Sequence, residues 1–213
     1  MQLRAVIFDY GEVLSQPANE SIHQELLALT DLPEDVFKEN YWAHRLDYDA
    51  AILNGRTYWQ TIARDSGTEF APAQIERLIE LDTRMWMDIN QPVLDYALEI
   101  RRSGLRTGIL SNMGEDVLRA MRRQFSWLDE FNALIWSCEL GIVKPDPAIY
   151  LEALQKLEVE PGEALFIDNL EVNIAGAEKV GLRGLVFRDA GQFHRDLRQF
   201  GIDLPSTQGA VTI

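Results

Sequence analysis

Three short apolar segments that end in polar residues constrain the fold of this chain more than any other feature. Residues 5–8 lead to Asp9, residues 108–110 lead to Ser111 and Asn112, and residues 164–167 lead to Asp168 and Asn169. Continuous apolar runs are typical of strands that helices cover on both faces. In such sheets, ligands bind outside the carboxyl ends of the strands. The sequence therefore predicts a parallel sheet with a polar site at one edge.

A lone lysine, Lys144, precedes Pro145 and would add a positive charge to this edge. Lysine is ordinarily a solvated surface residue. The apolar residues 142–143 before it and the proline after it instead indicate a fixed, partly buried loop. An acid, a hydroxyl, an ammonium and a second acid that converge on one point would suit a metal ion together with an anionic substrate.

Strand and helix patterns alternate along most of the chain, which predicts an α/β fold with a doubly wound, Rossmann-like parallel sheet. The predicted strands are residues 3–9, 105–110, 133–137, 164–167 and 185–187, and the helices of this part are residues 92–102, 114–125, 147–157, 171–180 and 193–200.

Residues 15–89 contain no convincing strand pattern and are helical throughout. Pro33 and Pro72 are typical of helix starts, and Asn54-Gly55 indicates a helix end followed by a new start. We therefore expect residues 1–14 and 90–213 to form the α/β core, and residues 15–89 to form an inserted, all-helical cap. The tail, residues 205–213, is expected to be loosely held.

Charge and apolar content restrict the partners and the compartment. With 34 acidic and 20 basic residues, the net charge of −14 argues against nucleic acid and against anionic membrane surfaces. No apolar run approaches the about 18 residues of a membrane span. The first apolar run, broken by Arg4 and stopped by Asp9, does not resemble a secretory signal. The single cysteine, Cys138, has apolar neighbours that predict a buried structural thiol. We expect a cytoplasmic protein, either a monomer or a homodimer.

The four polar elements, in this order, resemble the motifs of the haloacid dehalogenase-like hydrolases, most of which are phosphatases. Residues 8–14 match the first motif, residues 110–112 the second, Lys144-Pro145 the third, and residues 166–169 with Asn173 the fourth. The likeness is closer to the branch that holds sugar-1-phosphate phosphatases and the amino-terminal domain of soluble epoxide hydrolases. The resemblance spans nearly the whole chain and implies a helical cap after the first strand.

The resemblance also implies the role of each residue. Asp9 would be the nucleophile that forms an acyl-phosphate, and Mg²⁺ would be held by Asp9, the backbone carbonyl of Gly11 and Asp168. Ser111, Asn112 and Lys144 would bind the phosphate, and Lys144 would also neutralise the nucleophile. Asn169 and Asn173 would orient ligands or loop backbone. Ordinary helix capping remains an alternative for Ser111, Asn112 and Asp168.

Gly11 departs from the family pattern, in which a second aspartate two residues after the nucleophile protonates the leaving group. General acid–base help is worth about 10²–10⁴-fold, so its loss would weaken turnover without abolishing it. The leaving group could also need little proton help, as with the anomeric oxygen of a sugar 1-phosphate. Alternatively, Glu12 or a cap residue could replace the missing acid, although Glu12 is equally well explained as a solvent-facing loop acid. Replacing Gly11 by aspartate requires a backbone that accepts a β-carbon, and a positive φ would resist it.

Several aromatic and charged residues of the predicted cap could either face the substrate or form the cap core. Helical spacing favours the core. These residues are Arg45, Tyr48, Tyr58, Trp59 and Trp86.

The sequence thus predicts a magnesium-dependent phosphatase that hydrolyses a small phosphorylated metabolite, such as a sugar phosphate, through an aspartyl-phosphate. One alternative is a metal-independent 2-haloacid dehalogenase, which needs no acid at position 11. The other is a catalytically weakened protein that binds a phosphorylated ligand or a protein partner.

Overall fold

The computed structural model describes residues 2–204, so the tail predicted to be loosely held, residues 205–213, lies outside the described residues. A five-stranded parallel sheet with the order β3-β2-β1-β4-β5 forms the centre of the molecule. The strands are β1 (Ala5–Phe8), β2 (Arg106–Ser111), β3 (Ala133–Trp136), β4 (Ala164–Asp168) and β5 (Arg183–Val186).

Helices connect the strands and also fill the long segment between β1 and β2. Before β2 they are α1 (Glu20–Thr30), α2 (Glu34–Ala43), α3 (Arg45–Asp49), α4 (Gly55–Asp65), α5 (Pro72–Met85) and α6 (Gln91–Arg102). After β2 they are α7 (Glu115–Gln124), α8 (Ser137–Leu140), α9 (Pro147–Leu157), α10 (Glu171–Lys179) and α11 (Ala190–Leu197).

Both faces of the sheet are buried, which confirms the predicted α/β fold. Alternate residues of β1 point to opposite faces. Val6 and Phe8 belong to a core cluster that includes residues of α6, α7 and α11. Ala5 and Ile7 belong to a second cluster with residues of α9 and α10. Because each face is covered by helices, β1 has no solvent-facing position, and its four residues are all apolar.

The strand register brings the predicted motifs to one edge of the sheet. Phe8 is paired with Ile109 of β2 on one side and with Ile167 of β4 on the other. The backbone N–H of Asp9 donates to the carbonyl of Ile167 at 2.8 Å, so Asp9 and Asp168 leave neighbouring strands at the same level. The chain proceeds outward from β1 to β3 and then restarts at β4 on the other side, so Asp9 lies at the topological switch point.

The helices α1 to α5 form a separate helical segment, residues 20–85, with an apolar cluster of its own. As predicted, no strand occurs in residues 15–89, all of which are described; the only β-pairing there is an isolated bridge between Ser15 and Ile89. The backbone N–H of Asn90 donates to the carbonyl of Leu14 at 2.9 Å. The two connections to the helical segment therefore run side by side.

The structure differs from the sequence-based expectation near the carboxyl-terminal elements. Strand β5 begins at Arg183, two residues earlier than predicted, because an edge strand tolerates a partly exposed polar residue. Gly184 is needed inside it, since a β-carbon there would collide with Ile174 of α10. Helix α11 begins at Ala190 rather than at 193, because the Asp189 side chain accepts a hydrogen bond from the N–H of Gln192 and caps the first turn.

The region around Cys138 contains a helical turn that the sequence pattern does not predict. Strand β3 ends at Trp136, and the short helix α8 follows, closed by Gly141 with a φ of 68°. Cys138 is buried, as predicted. Burial, with nearby acidic charges, raises the pKa of its thiol to about 11, so it carries little of the reactive thiolate at neutral pH.

Candidate functional site

Lys144 lies between two carboxylates at the carboxyl edge of the sheet. Its Nζ is 2.8 Å from Oδ1 of Asp9 and 2.7 Å from Oδ2 of Asp168. The exposed fraction is 2% for Lys144, 6% for Asp9 and 0% for Asp168. The structure thus brings together the three charged residues that the sequence predicts to meet. One buried cation faces two buried acids, which leaves the group with an excess of negative charge when both acids are ionised.

The conformation of Asp9 is set by the turn that follows β1. Its Oδ1 accepts a hydrogen bond from the N–H of Tyr10 at 2.7 Å, at the start of the tight turn Tyr10–Leu14. Burial raises the pKa of Asp9 well above its ordinary value. The ammonium of Lys144 opposes this rise, the charge of Asp168 adds to it, and a hydrogen bond with Ser111 lowers it slightly.

The side-chain amide of Asn112 holds the backbone of Lys144 in place and does not contact the Lys144 ammonium. The Asn112 amide accepts from the Lys144 N–H at 2.8 Å and donates to the Lys144 carbonyl at 3.1 Å. Burial disfavours the ammonium, but Asp9 and Asp168 outweigh this effect and raise the pKa of Lys144. Because the Asn112 amide is engaged in both directions, direct contact between that amide and a phosphate stays a prediction.

Asp168 has a capping contact and also faces Lys144, while its role as a metal ligand stays a prediction. Its Oδ1 accepts from the N–H of Leu170 at 2.8 Å, which caps the turn before α10. Its Oδ2 accepts from Lys144 and, at 3.0 Å, from the side-chain amide of Asn173. Asn173 therefore orients the acid. Asn169 instead donates to the carboxylate of Glu12 at 2.9 Å, so the two asparagines support different parts of the site.

Gly11 has an ordinary backbone conformation, with φ of −62° and ψ of 123°. A β-carbon at this position would have the ring of Trp86 as its nearest neighbour, at 3.8 Å. The position therefore has the backbone and the space for a side chain. The left-handed residue of this turn is Glu12, with a φ of 58°.

A cavity of about 510 Å³ separates the sheet edge from the helical segment. Asp9 and Lys144 lie in its wall on the side of the sheet. The helical segment contributes apolar side chains to the opposite wall, among them Trp42 and Leu46, which are 58% and 53% exposed, and Trp86 follows it. Such a wall would suit an apolar group or the face of a ring.

Arg45 forms a second buried ionic group on the side of the helical segment. Its Nε donates to Oδ1 of Asp49 at 3.1 Å, and its Nη1 donates to both oxygens of Asp82 at 3.1 and 3.2 Å. The hydroxyl of Tyr41 also donates to Asp82, at 2.5 Å. Arg45 and Asp49 line the cavity. The spacing of Arg45 and Asp49 by four residues was the available sequence signal, but it is equally typical of an exposed helical ion pair.

The remaining aromatic residues differ in location: some lie in the core of the helical segment, and others lie at its surface toward the sheet domain or the cavity. Tyr58 and Trp59 are buried in its apolar cluster, as the helical spacing favours. Trp86 lines the cavity. Tyr48 is buried against the sheet domain, where its ring covers Gly114 and its hydroxyl donates to Asp116 at 3.0 Å.

Ser137 connects the helical segment to the loop that carries Ser111 and Asn112. Its hydroxyl donates to the backbone carbonyl of Asp49 at 2.6 Å and accepts from the N–H of Met113 at 2.9 Å. This role of Ser137 was not predictable, because a serine after a strand has no specific sequence signal. The backbone N–H of Met113, just before α7, is therefore already paired and is not free to bind a phosphate.

Oxygen ligands for a metal ion are present, but they are few. Residues 2–204 contain no group of three or more histidine, cysteine, aspartate or glutamate side chains that could hold a metal. The site offers the two carboxylates Asp9 and Asp168, with Gly11 beside them in the cavity wall. Mg²⁺ prefers oxygen ligands and is held by one or two carboxylates, with water and substrate oxygens completing its shell. These residues fit Mg²⁺ and would not suit a metal that needs a full protein cage.

None of the helices in the described part of the chain has both the length and the apolar character needed to span a membrane.

Comparison with known proteins relates the whole chain to one group of enzymes. The sequence model of the haloacid dehalogenase-like hydrolases matches residues 3–181. The chain is 28% identical to bifunctional epoxide hydrolase 2 of Sus scrofa over 97% of this chain, and it spans only 40% of that relative's length. It is 25% identical to a protein of Mycobacterium tuberculosis named as a phosphatase, over 94% of this chain and 96% of the relative.

Another relative, (S)-2-haloacid dehalogenase 1 of a Pseudomonas species, is 33% identical over 84% of this chain and 82% of its own length. Among solved structures, a haloacid dehalogenase family enzyme of Bacteroides thetaiotaomicron, solved as a magnesium complex, has a TM-score of 0.74. It is 20% identical and covers 93% of this chain and 100% of its own, so the likeness concerns the fold.

Proposed function

This chain belongs to the haloacid dehalogenase-like hydrolases, and on that premise we propose that it is a magnesium-dependent phosphatase acting on a small phosphorylated metabolite. The observation that carries the proposal is the contact of Lys144 with both Asp9 and Asp168, at 2.8 and 2.7 Å, beside a cavity. A carboxylate that attacks phosphorus needs nearby positive charge, both to remain ionised and to accept an anionic substrate.

Asp9 is the proposed nucleophile. One of its oxygens would attack the phosphorus atom and form an aspartyl-phosphate, which water would then hydrolyse. Lys144 would attract the phosphate and stabilise the charge that develops on it. Ser111, whose hydrogen bond lowers the pKa of Asp9, would contact the same phosphate oxygens. Local attraction is required because the net charge of −14 repels an anion.

Magnesium is the proposed cofactor, held by Asp9, the backbone carbonyl of Gly11 and Asp168. The ion would supply positive charge that draws electrons from the phosphoryl oxygens. Two buried acids with one ammonium support this assignment, since a bound cation would offset their excess negative charge. The magnesium complex of the Bacteroides enzyme is consistent with it.

The helical segment is the proposed cap that covers the substrate, within an inserted domain of residues 15–89. The leaving group would lie against Trp42, Leu46 and Trp86. A sugar phosphate could place its ring face against this wall. We further propose a cytoplasmic protein without nucleic-acid or membrane partners, as a monomer or a homodimer.

The decisive experiment measures hydrolysis of 4-nitrophenyl phosphate with Mg²⁺ and then with excess chelator. Asp9→Asn keeps the size of the side chain but removes the attacking charge, so we expect turnover to fall by about 10³-fold or more. Asp95→Asn, at an exposed position of α6, is the matched control and should leave the rate unchanged. Beryllium fluoride should attach to Asp9 in the unmodified protein. Activity that survives chelation, or an active Asp9→Asn variant, would contradict the proposal.

A second candidate, a metal-independent 2-haloacid dehalogenase, is supported by Gly11 and by the relative that carries this name. In that reaction Asp9 would attack the carbon that bears the halogen, and no acid is needed to release a halide. Halide release from 2-chloropropionate in the presence of chelator, without phosphate-ester hydrolysis, would favour this candidate over the phosphatase.

A further inference from the structure

The proposed reaction needs a proton donor for the leaving alcohol, and Gly11 cannot be that donor. In phosphoryl transfer the attacking and leaving oxygens lie roughly in line. A phosphate attacked by Asp9 from the sheet edge therefore releases its alcohol toward the helical segment. An alkoxide is a poor leaving group, so a proton donor on that side accelerates the reaction. Gly11 has no side chain to provide it.

Most titratable side chains in the cavity wall are unsuited to this task. Tyr10 already donates its hydroxyl to the carbonyl of Trp86 at 2.6 Å. Lys144 is held between Asp9 and Asp168, and Arg45 does not release its proton in proteins.

Glu12 belongs to the same turn as Asp9, on the side of the sheet. It is exposed, and its carboxylate accepts a hydrogen bond from Asn169. It lines the same cavity, but because it is open to solvent and engaged by Asn169, it is a weaker candidate than an acid buried in the cavity wall.

Asp49 is the remaining acid, and the fold fixes its position. It lines the cavity, and its residue is only 4% exposed. Its carboxylate accepts from Nε of Arg45 at 3.1 Å. Its backbone carbonyl accepts from Ser137, which also binds the N–H of Met113 in the loop beside Ser111. Asp49 is thus joined to the loop at the sheet edge although it belongs to the helical segment.

We propose that Asp49 is the general acid and base of the reaction, in place of the side chain that Gly11 lacks. This inference rests on the proposed phosphatase function and assigns a catalytic residue to the helical segment.

The proposed steps balance as follows. Asp9 attacks phosphorus, the bond from phosphorus to the ester oxygen breaks, and its electron pair stays on that oxygen. The carboxylic acid of Asp49 gives its proton to the ester oxygen and becomes a carboxylate. In the second step this carboxylate takes a proton from water while the water oxygen attacks the aspartyl-phosphate. The bond from Asp9 to phosphorus breaks, which regenerates both side chains and releases inorganic phosphate.

The electrostatic environment supports this role. Burial raises the pKa of Asp49 to about 6, while the charge of Arg45 lowers it, Asp82 raises it and Lys144 lowers it slightly. A group with a pKa near the working pH is partly protonated and can both give and take a proton. Asp49 and Asp9 also line the same cavity.

Asp82 provides a matched comparison. It binds the same Arg45 and is also buried, at 1% exposure. It differs because its oxygens are occupied by Arg45 and Tyr41, and it does not line the cavity. A role in positioning Arg45 would be shared by both acids, whereas proton transfer to a leaving group requires access to the cavity.

The test compares Asp49→Asn with Asp82→Asn on phosphate esters whose leaving groups range from 4-nitrophenol to simple alcohols. We expect Asp49→Asn to lose about 10²-fold or more on the alkyl esters and much less on 4-nitrophenyl phosphate, because only the basic leaving groups need the proton. Asp82→Asn should change the rates on all esters by the same factor. An equal loss on all esters in Asp49→Asn would overturn the proposal and reduce Asp49 to a positioning residue.

A second variant keeps the result interpretable. Gly11→Asp in the Asp49→Asn background should restore alkyl-ester hydrolysis, which also demonstrates that the chain is folded. The pH profile gives a further readout. Unmodified protein should lose alkyl-ester activity as the pH rises through the pKa of Asp49, because the acid form disappears, and Asp49→Asn should lack this limb. The titratable groups that interact with Asp49 are Arg45, Tyr58, Asp82, Cys138 and Lys144.

Failure of the inference is distinguishable from failure of the proposed function. If unmodified protein hydrolyses no phosphate ester, the phosphatase itself is wrong. If it hydrolyses them and Asp49→Asn behaves like Asp82→Asn, the phosphatase stands and the assignment of Asp49 is wrong.

Discussion

Two buried ionic clusters face the same cavity from opposite sides, and each places one cation between two carboxylates. The sheet cluster consists of Lys144, Asp9 and Asp168. The helical cluster consists of Arg45, Asp49 and Asp82. Their charges are the same, but their construction differs. The sheet cluster joins residues from three distant parts of the chain, whereas Arg45 and Asp49 are four residues apart on one helix.

Under the proposed roles, the cation of each cluster matches the task of that cluster. Lys144 is a compact point charge that touches both acids while leaving Asp9 at the cavity wall. The guanidinium of Arg45 is a planar fork with fixed donor directions, so it orients its two acids more strictly. The first arrangement suits a carboxylate that forms and breaks a covalent bond. The second suits a carboxylate that must stay in one place while it exchanges a proton.

The largest effect is expected from Lys144→Met, which removes the cation of the sheet cluster. Loss of a stabilising donor at the reacting group should lower kcat by about 10²–10³-fold. Leaving two buried acids without their partner should also lower the free energy of unfolding by about 3–5 kcal/mol. Steady-state kinetics and urea denaturation measure the two effects. Lys156→Met, at a half-exposed lysine that contacts Glu152, should change neither. Full activity in Lys144→Met would contradict the proposed role.

Arg45→Met tests the helical cluster in the same way. It also leaves two buried acids unpaired, so we expect a loss of about 3–5 kcal/mol in the free energy of unfolding. Its effect on hydrolysis of 4-nitrophenyl phosphate should be much smaller than that of Lys144→Met, because the nucleophile keeps its cation. Urea denaturation and kinetics on the two variants should therefore separate stability from activity. Equal losses of activity would show that the two clusters do not have separate tasks.

The smallest effect is expected from Gly11→Asp in an otherwise unmodified chain. The backbone of Gly11 and the 3.8 Å to its nearest neighbour accept the side chain, so the fold should persist. A second acid on the sheet side should raise kcat/KM for alkyl esters by at most about 10²-fold. The gain should be lower still if Asp49 already supplies the proton. A large gain in Gly11→Asp, with no loss of activity in Asp49→Asn, would contradict the proposal that the helical cluster supplies the proton.

The sheet cluster was predictable because its signal is local at each of its three positions. An apolar run that ends in aspartate specifies a strand and its terminal acid, and parallel strands align their carboxyl ends. The meeting of Asp9 and Asp168 follows from these two facts. The positioning of Lys144 by Asn112 was less accessible, since both of its hydrogen bonds involve loop backbone.

The helical cluster was not predictable as a site. Its residues have the spacing of an ordinary amphipathic helix. The spacing of Arg45 and Asp49 by four residues is typical of a surface ion pair. Their burial depends on the contact between Arg45 of α3 and Asp82 of α5, and on the packing of α3 against α8 and of α5 against α7. Ser137 is a similar case, because its role arises only from the contact between Asp49 and the loop after β2. The backbone of the turn after Asp9 was also not predictable, since Glu12 and not Gly11 adopts the positive φ.

By itself, the sequence determined the family, the parallel sheet, the helical insertion and the acids that end the strands. Each of these features has a local pattern of neighbouring residues. The tertiary structure alone decided which side chains of the helical segment reach the cavity, and that Asp49 lies there while Asp82 does not. The physical reason is that helical periodicity identifies a buried face but not its neighbour. Packing in three dimensions sets which buried acid reaches the cavity and which is enclosed by its partners.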